Sequence, residues 1–261
     1  EGADSIIIKE ACDISEDSLT FFGPLKRGQH VRQAGEDIVK GQTALLTGTL
    51  LKPQELGLIA SLGYSQVRVY RKVKVAIFST GDEVTAQGEE LPENCIYDTN
   101  RFTLTGLLEK LGCEVLDLGI VEDSQPAMVK VLSDASANAD VVISSGGVSM
   151  GKADYIKSAL ESVGKIDFWR IAMRPGRPLA FGKLDPDERD VPFFGLPGNP
   201  VAVMVTFTQF VQPALRKLGG ESHWEPQRMV ATAISNIRSR AHRTDYTRGV
   251  YSIDNEGRLV V

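Results

Sequence analysis

An apolar run, Val141-Val142-Ile143, breaks into Ser144-Ser145-Gly146-Gly147, and helical character resumes after Gly151. A buried strand that ends in a glycine turn and feeds a helix presents backbone N–H groups there, a geometry that suits phosphate. Asp154 follows within a few residues and sets a carboxylate beside this anion cradle. Gly146-x4-Gly151-Lys152 matches the opening of the nucleotide P-loop. Ala153, however, stands where that motif requires a hydroxyl to hold magnesium, which argues against a P-loop NTPase. The pattern predicts chemistry on a phosphorylated ligand.

Further candidates are carboxylates and guanidinium groups. Asp82, Glu83, Asp98, Asp123 and Asp154 fall in loops after predicted strands or at helix starts. Carboxylates that meet a phosphate usually do so through magnesium, which takes oxygen ligands. Taken singly, each also reads as a helix cap or a solvated loop acid, Asp98 in Asp-Thr-Asn above all. In an extended strand Arg170, Ala172 and Arg174 share one face, and Pro175-Gly176 then turns Arg177 back toward them. Guanidinium groups bind tetrahedral oxyanions through paired donors, although a solvated basic edge has the same composition. In Gly195-Leu-Pro-Gly-Asn-Pro-Val201 the prolines Pro197 and Pro200 stiffen a turn, Gly198 permits close approach, and Asn199-Pro200 starts a helix.

These residues need a scaffold, and the pattern of elements supplies one. Strands are predicted over Val73–Ser79, Cys113–Val121 and the Ala139–Ser145 run, with helices over Thr99–Leu111, Ser124–Ser136 and Ala153–Val163. Such alternation implies an α/β fold with a doubly wound, mostly parallel sheet, whose ligands sit beyond the carboxyl ends of the strands. Thr80 to Glu83, Asp123 and Ser145 to Gly147 all fall at those ends. Strands over Ile166–Met173, Leu179–Lys183 and Val191–Gly195 follow, then a long helix from Asn199 to Leu218. Before the sheet, β-like pieces such as Ser5–Ile8, a strand over Ala44–Leu51 and a helix from Pro53 to Gly63 are expected. After it come strands over Met229–Ile237 and Gly249–Ile253. The organisation reads as the end of a β-rich subdomain (1–25), a linking subdomain (26–71), the α/β domain (72–220) and an incomplete β subdomain (221–261). Both termini read as cuts within folded elements, so a fragment of a longer protein is expected.

Composition narrows the class. The net charge of −5 argues against bulk nucleic-acid binding, and no apolar run approaches the ~18–20 residues that span a bilayer. The cytoplasm is the expected compartment. Cys12, Cys95 and Cys113 lack CxxC spacing and read as reduced packing residues; the three histidines form no catalytic pattern.

Taken together and in order, Ser79-Thr80-Gly81-Asp82-Glu83, Tyr97-Asp98-Thr99-Asn100, SSGGVSMGKADY, Met173-Arg-Pro-Gly-Arg-Pro178 and GLPGNPV resemble the MoeA family, the molybdopterin molybdenumtransferases. The resemblance runs along nearly the whole chain and is closest to the bacterial enzymes. It implies insertion of molybdate into adenylyl-molybdopterin with release of AMP and a requirement for Mg2+. Glu83, Asp123 and Asp154 become the catalytic candidates, and Asp82, Glu83 and Asp154 the metal candidates. Thr80, Gly81, Ser145, Gly146, Gly147, Ser149, Arg170, Arg174, Arg177, Pro197 and Pro200 become the substrate-binding candidates. Relatives frequently carry lysine at the arginine positions, so the affinity for the oxyanion is open. The resemblance further implies a homodimer with a site shared between subunits and contact with the molybdopterin adenylyltransferase. Two alternatives remain at this level: the adenylyltransferase itself, or a non-catalytic scaffold of the same family.

Overall fold

The computed structural model describes residues 2–148, 153–185 and 189–261, with side chains for all of these except 153–155, 168 and 169. It divides the chain into two compact units, Glu1–Ser65 and Gln66–Val261.

In the first unit, β1 (Cys12–Ile14) and β2 (Leu19–Phe21) form an antiparallel hairpin. Helix α1 (Pro53–Ser61) starts at a proline, and the Glu55 carboxylate accepts from the Lys52 N–H at 2.9 Å, which satisfies a donor the first turn would leave orphaned. The strand expected over Ala44–Leu51 is not formed. Gly48 takes φ +87° and the Thr49 N–H turns back onto Leu46 O at 3.2 Å, so the chain bends where an extended run was predicted. Ser5–Ile8 is likewise no strand, although Ile6 N–H donates to Gln29 O at 2.9 Å.

The second unit is built on six strands: β3 (Lys74–Thr80), β6 (Glu114–Val121), β7 (Val141–Ser145), β8 (Gly164–Arg170), β10 (Pro178–Leu184) and β11 (Val191–Leu196). Their order is β6-β3-β7-β11-β10-β8. The pairs β6–β3, β3–β7 and β7–β11 are parallel, and only β10 runs against the rest. The sheet is thus mostly parallel, as the strand–helix alternation predicts. Helices α3 (Gln125–Asn138) and α4 (Ala153–Val163) cover one face through Met128, Leu132, Ile156 and Leu160, packed on Ala76, Phe78 and Val142. The other face carries α2 (Asn100–Lys110) and a long helix made of α5 (Pro200–Thr206), a π-helical turn (Phe207–Val211) and α6 (Gln212–Leu218). There Leu104, Leu108, Val203 and Phe207 meet Val75, Ile77 and Ile143. Because β3 and β7 are covered on both faces, they run apolar from Val75 to Phe78 and from Val141 to Ile143, until the serines at their ends.

Three expectations fail in this unit. The strand predicted over Ile166–Met173 ends at Arg170, where the Ile171 N–H leaves the ladder for Arg177 O at 3.2 Å. Met173–Arg174 forms the separate strand β9, paired in parallel with β12 (Thr244–Asp245). Of Met229–Ile237 only Thr232 makes a bridge, to Val260, and of Gly249–Ile253 only β13 (Ser252–Ile253) pairs, with β14 (Leu259–Val260). No helix among the described residues is long and apolar enough to cross a membrane.

Candidate functional site at the carboxyl edge of the sheet

The carboxyl ends of β3, β7 and β11 bring three loops together. Gly146 and Gly147 follow β7 at φ +88° and +70°, in the left-handed region where a side chain is costly. A β-carbon on Gly146 would stand 2.4 Å from Thr80 O, and one on Gly147 2.2 Å from Ile156 Cδ1. The same construction on Gly198 reaches Gly146 Cα at 3.9 Å, so the turn after β11 lies against the turn after β7. Thr80, Ser144 and Ser145 are buried here, and the Thr80 and Ser144 hydroxyls make no hydrogen bond among the described residues.

The cradle differs from the predicted one in its donors. The Gly146 N–H points inward and donates to Leu196 O at 3.1 Å. At the start of α5 the Asn199 carboxamide accepts from the Val201 and Ala202 N–H groups at 3.0 and 3.2 Å. An anion at this helix start would meet its dipole but not those two donors. Ser149 lies outside the described residues. Asp154 sits in the first turn of α4, and its side chain is outside them too.

The acidic loop leaves β3 at Thr80. Gly81 takes φ +139°, and a β-carbon there would stand 3.0 Å from the Glu83 carboxylate, which is folded back over this glycine. The loop is held by a short parallel pair that periodicity did not predict, β4 (Val84–Thr85) with β5 (Ile96–Tyr97). Ile96 N–H donates to Glu83 O at 2.8 Å and Asp98 N–H to Thr85 O at 3.0 Å. Asp98 is a structural acid. Its carboxylate accepts from the Arg101 N–H and Nε at 3.2 and 2.9 Å, and Arg101 reaches on to Asp117 at 2.6 Å. Asp82 and Glu83 are exposed, whereas Asp123 is half-buried just beyond β6.

Among the described residues no group of three or more His, Cys, Asp or Glu converges as a metal cage. The donor chemistry of Asp82 and Glu83 still fits magnesium, which is usually held by one or two carboxylates together with substrate phosphates and water.

The arginines are not one strand face. Arg170 ends β8 opposite Pro178, while Arg174 ends the separate short strand β9 and Arg177 lies in the turn after it. All three are exposed, and none forms an ion pair with another described residue. Tyr246 N–H donates to Arg174 O at 2.8 Å, so the segment after β12 clips the loop. A β-carbon on Gly176 would meet Thr206 Cγ2 at 2.5 Å, which places the loop along the helix that begins at Pro200. A cavity of ≈ 550 Å³ runs along the outer side of that helix, lined by Pro200, Val201, Met204 and Tyr246 among others.

One residue was missed as a site candidate. Asn100 Nδ2 donates to Gly198 O at 2.7 Å, joining the start of α2 to the turn after β11. Its place in Tyr97-Asp98-Thr99-Asn100 was visible, but capping chemistry explains an Asn there equally well.

Known proteins resemble this chain in sequence and fold. Residues 76–217 match the family described as "Probable molybdopterin binding domain", and residues 1–63 match "MoeA N-terminal region (domain I and II)". The chain is 46% identical to a molybdopterin molybdenumtransferase of Haemophilus influenzae, with all of this chain and 64% of the relative covered. It is 38% identical to the Nostoc sp. enzyme of the same name, over 95% of this chain and 57% of that one. The chain therefore spans about three-fifths of the length of these relatives. Among solved structures, the MoeA protein of Pyrococcus horikoshii superposes over 100% of this chain and 62% of its own, with TM-score 0.77 and 29% identity.

Proposed function

Because this chain belongs to the MoeA family, we propose that it carries the molybdenum-inserting site of a molybdopterin molybdenumtransferase: adenylyl-molybdopterin and molybdate go in, molybdenum cofactor and AMP come out. The observation that carries this reading is the junction at the carboxyl edge, where the Glu83 carboxylate, Gly81, Thr80, Gly146 and Gly198 adjoin one another.

Thr80, Gly81, Ser145, Gly146 and Gly147 line the place for the phosphates of the adenylylated pterin, and the family resemblance assigns Ser149 to the same ligand. Close approach to that backbone is what the glycines permit. Magnesium bound by Asp82, Glu83 and Asp154 with phosphate oxygens would supply positive charge to the leaving phosphate. Asp123 follows β6, the neighbour of β3, and Pro197 and Pro200 hold the turn after β11. Arg170, Arg174 and Arg177 gather molybdate through paired N–H donors, and their exposure leaves those donors to the ligand. In this reading the pterin-binding part is residues 72–220, flanked by 1–25, 26–71 and 221–261. The protein works in the cytoplasm as a homodimer, supplied by the adenylyltransferase of the preceding step.

The test is AMP release from adenylyl-molybdopterin by the full chain, with molybdate and magnesium each supplied and withheld. Release that needs neither, or none at all, would refute the proposal.

A further inference from the structure

Residues 96–100 hold two loops at once. At one end, Ile96 and Asp98 donate their N–H groups to Glu83 O and Thr85 O and so fix the acidic loop. At the other, Asn100 Nδ2 donates 2.7 Å to the carbonyl of Gly198, 98 residues further along the chain. Arg101 grips Asp98 from the first turn of α2, so the segment has little freedom to shift. Asn100 Oδ1 is buried and makes no hydrogen bond among the described residues. Among the described residues the carboxamide is therefore engaged through its donor end alone.

The Gly198 carbonyl belongs to the same planar peptide as the Asn199 N–H, and in a trans peptide the two point in opposite directions. Tying that carbonyl to Asn100 therefore fixes the direction of the Asn199 N–H and of the chain entering α5. Without the tie, a glycine at this position leaves the peptide free to rotate.

We propose that Asn100 is a positioning residue: it locks the Gly198–Asn199 peptide and so keeps the turn from Pro197 to Pro200 in register with the Glu83 loop around the phosphate-bearing end of the substrate. This rests on the site reading given under Proposed function. It adds a residue that acts through the turn and does not touch the arginine loop.

The test compares Asn100→Ala and Asn100→Asp with the wild-type full chain. The aspartate variant keeps the shape but offers no donor to Gly198 O, so both should behave alike. Expected are a roughly tenfold or greater loss in kcat/KM for adenylyl-molybdopterin, the scale at which small misplacements act. The KM for molybdate should stay within about twofold and the melting temperature within a few degrees, because the positioning acts on one substrate only. A kcat/KM within twofold of wild type, equal damage toward both substrates, or a loss that tracks the folded fraction would overturn the proposal. If the wild type releases no AMP, the site reading fails on its own, and Asn100 is judged by calorimetry with AMP as the probe. A severalfold loss of AMP affinity in both variants then supports it. Unchanged affinity, or no AMP binding by the wild type, overturns it.

Discussion

The carbonyl oxygen of Thr80 lies 2.4 Å from the point where a β-carbon on Gly146 would stand. The close approach joins the end of β3 to the turn after β7, and it coincides with φ +88° at that glycine. Gly146→Ala therefore meets both a backbone clash and a left-handed conformation. It should destabilise the protein by ~1–3 kcal/mol and spread the site. Gly106, exposed on α2 with nothing near its virtual β-carbon, is the control. Gly106→Ala should stabilise by ~0.5–1 kcal/mol through helix propensity alone. Urea denaturation reads both, and an unchanged midpoint for Gly146→Ala would contradict the packing described.

Much of this junction could be read in the sequence because its signals are local. The apolar run Val141–Ile143 makes a strand buried on both faces, and the glycines after it mark a turn that no other residue fits. Asn199-Pro200 starts a helix through capping chemistry that needs no knowledge of the rest of the chain. What the sequence hid depends on partners far away. Arg170 and Arg174 alternate as in one strand, yet Ile171 turns to Arg177 and Thr244–Asp245 claims Met173–Arg174. The bond from Asn100 to Gly198 spans 98 residues, and no periodicity encodes it. The π-helical turn at Phe207–Val211 adds one residue within an otherwise regular apolar helix, a shift too small for pattern to show.

Arg101 anchors the acidic loop through Asp98, a carboxylate only 3% exposed. Removing one partner of a buried charge pair leaves the other uncompensated. Arg101→Ala should therefore cost ~3 kcal/mol in chemical denaturation. Turnover should fall as well, since Asp98 holds the segment that positions Glu83. A loss below about 0.5 kcal/mol, as for an exposed pair, would show that the pair is solvated.

Asp140 accepts two hydrogen bonds from Arg71, at 2.5 and 2.6 Å, and one from the Lys74 N–H at 2.9 Å. The Arg71 bonds hold its carboxyl below the ordinary value of 3.8; partial burial opposes them, and the backbone bond adds to them. A carboxyl with a depressed folded-state pKa contributes stability that is complete above its unfolded pKa and lost as the pH falls through the folded one. Asp140→Asn should therefore lower the melting temperature at pH 7, and the gap to wild type should close below about pH 4. A gap that is constant from pH 7 to pH 2.5 would contradict the assignment.

Burial pushes the Cys113 thiol up to about 11. At pH 8 it should be almost wholly protonated, and the thiolate is the reactive form. Iodoacetamide should modify Cys113 in the folded protein at least tenfold more slowly than in urea, read by peptide mass mapping. Equal rates would place the thiol in contact with solvent.

The central claim is that the carboxyl edge of this sheet exchanges AMP for molybdenum. The most direct measurement is stoichiometry in a single experiment: AMP released and molybdenum incorporated, per adenylyl-molybdopterin consumed by the full chain. The account predicts one of each, with both lost together when molybdate is withheld or Asp154 is changed to Asn. AMP released without molybdenum gained, or full turnover by Asp154→Asn, would contradict it.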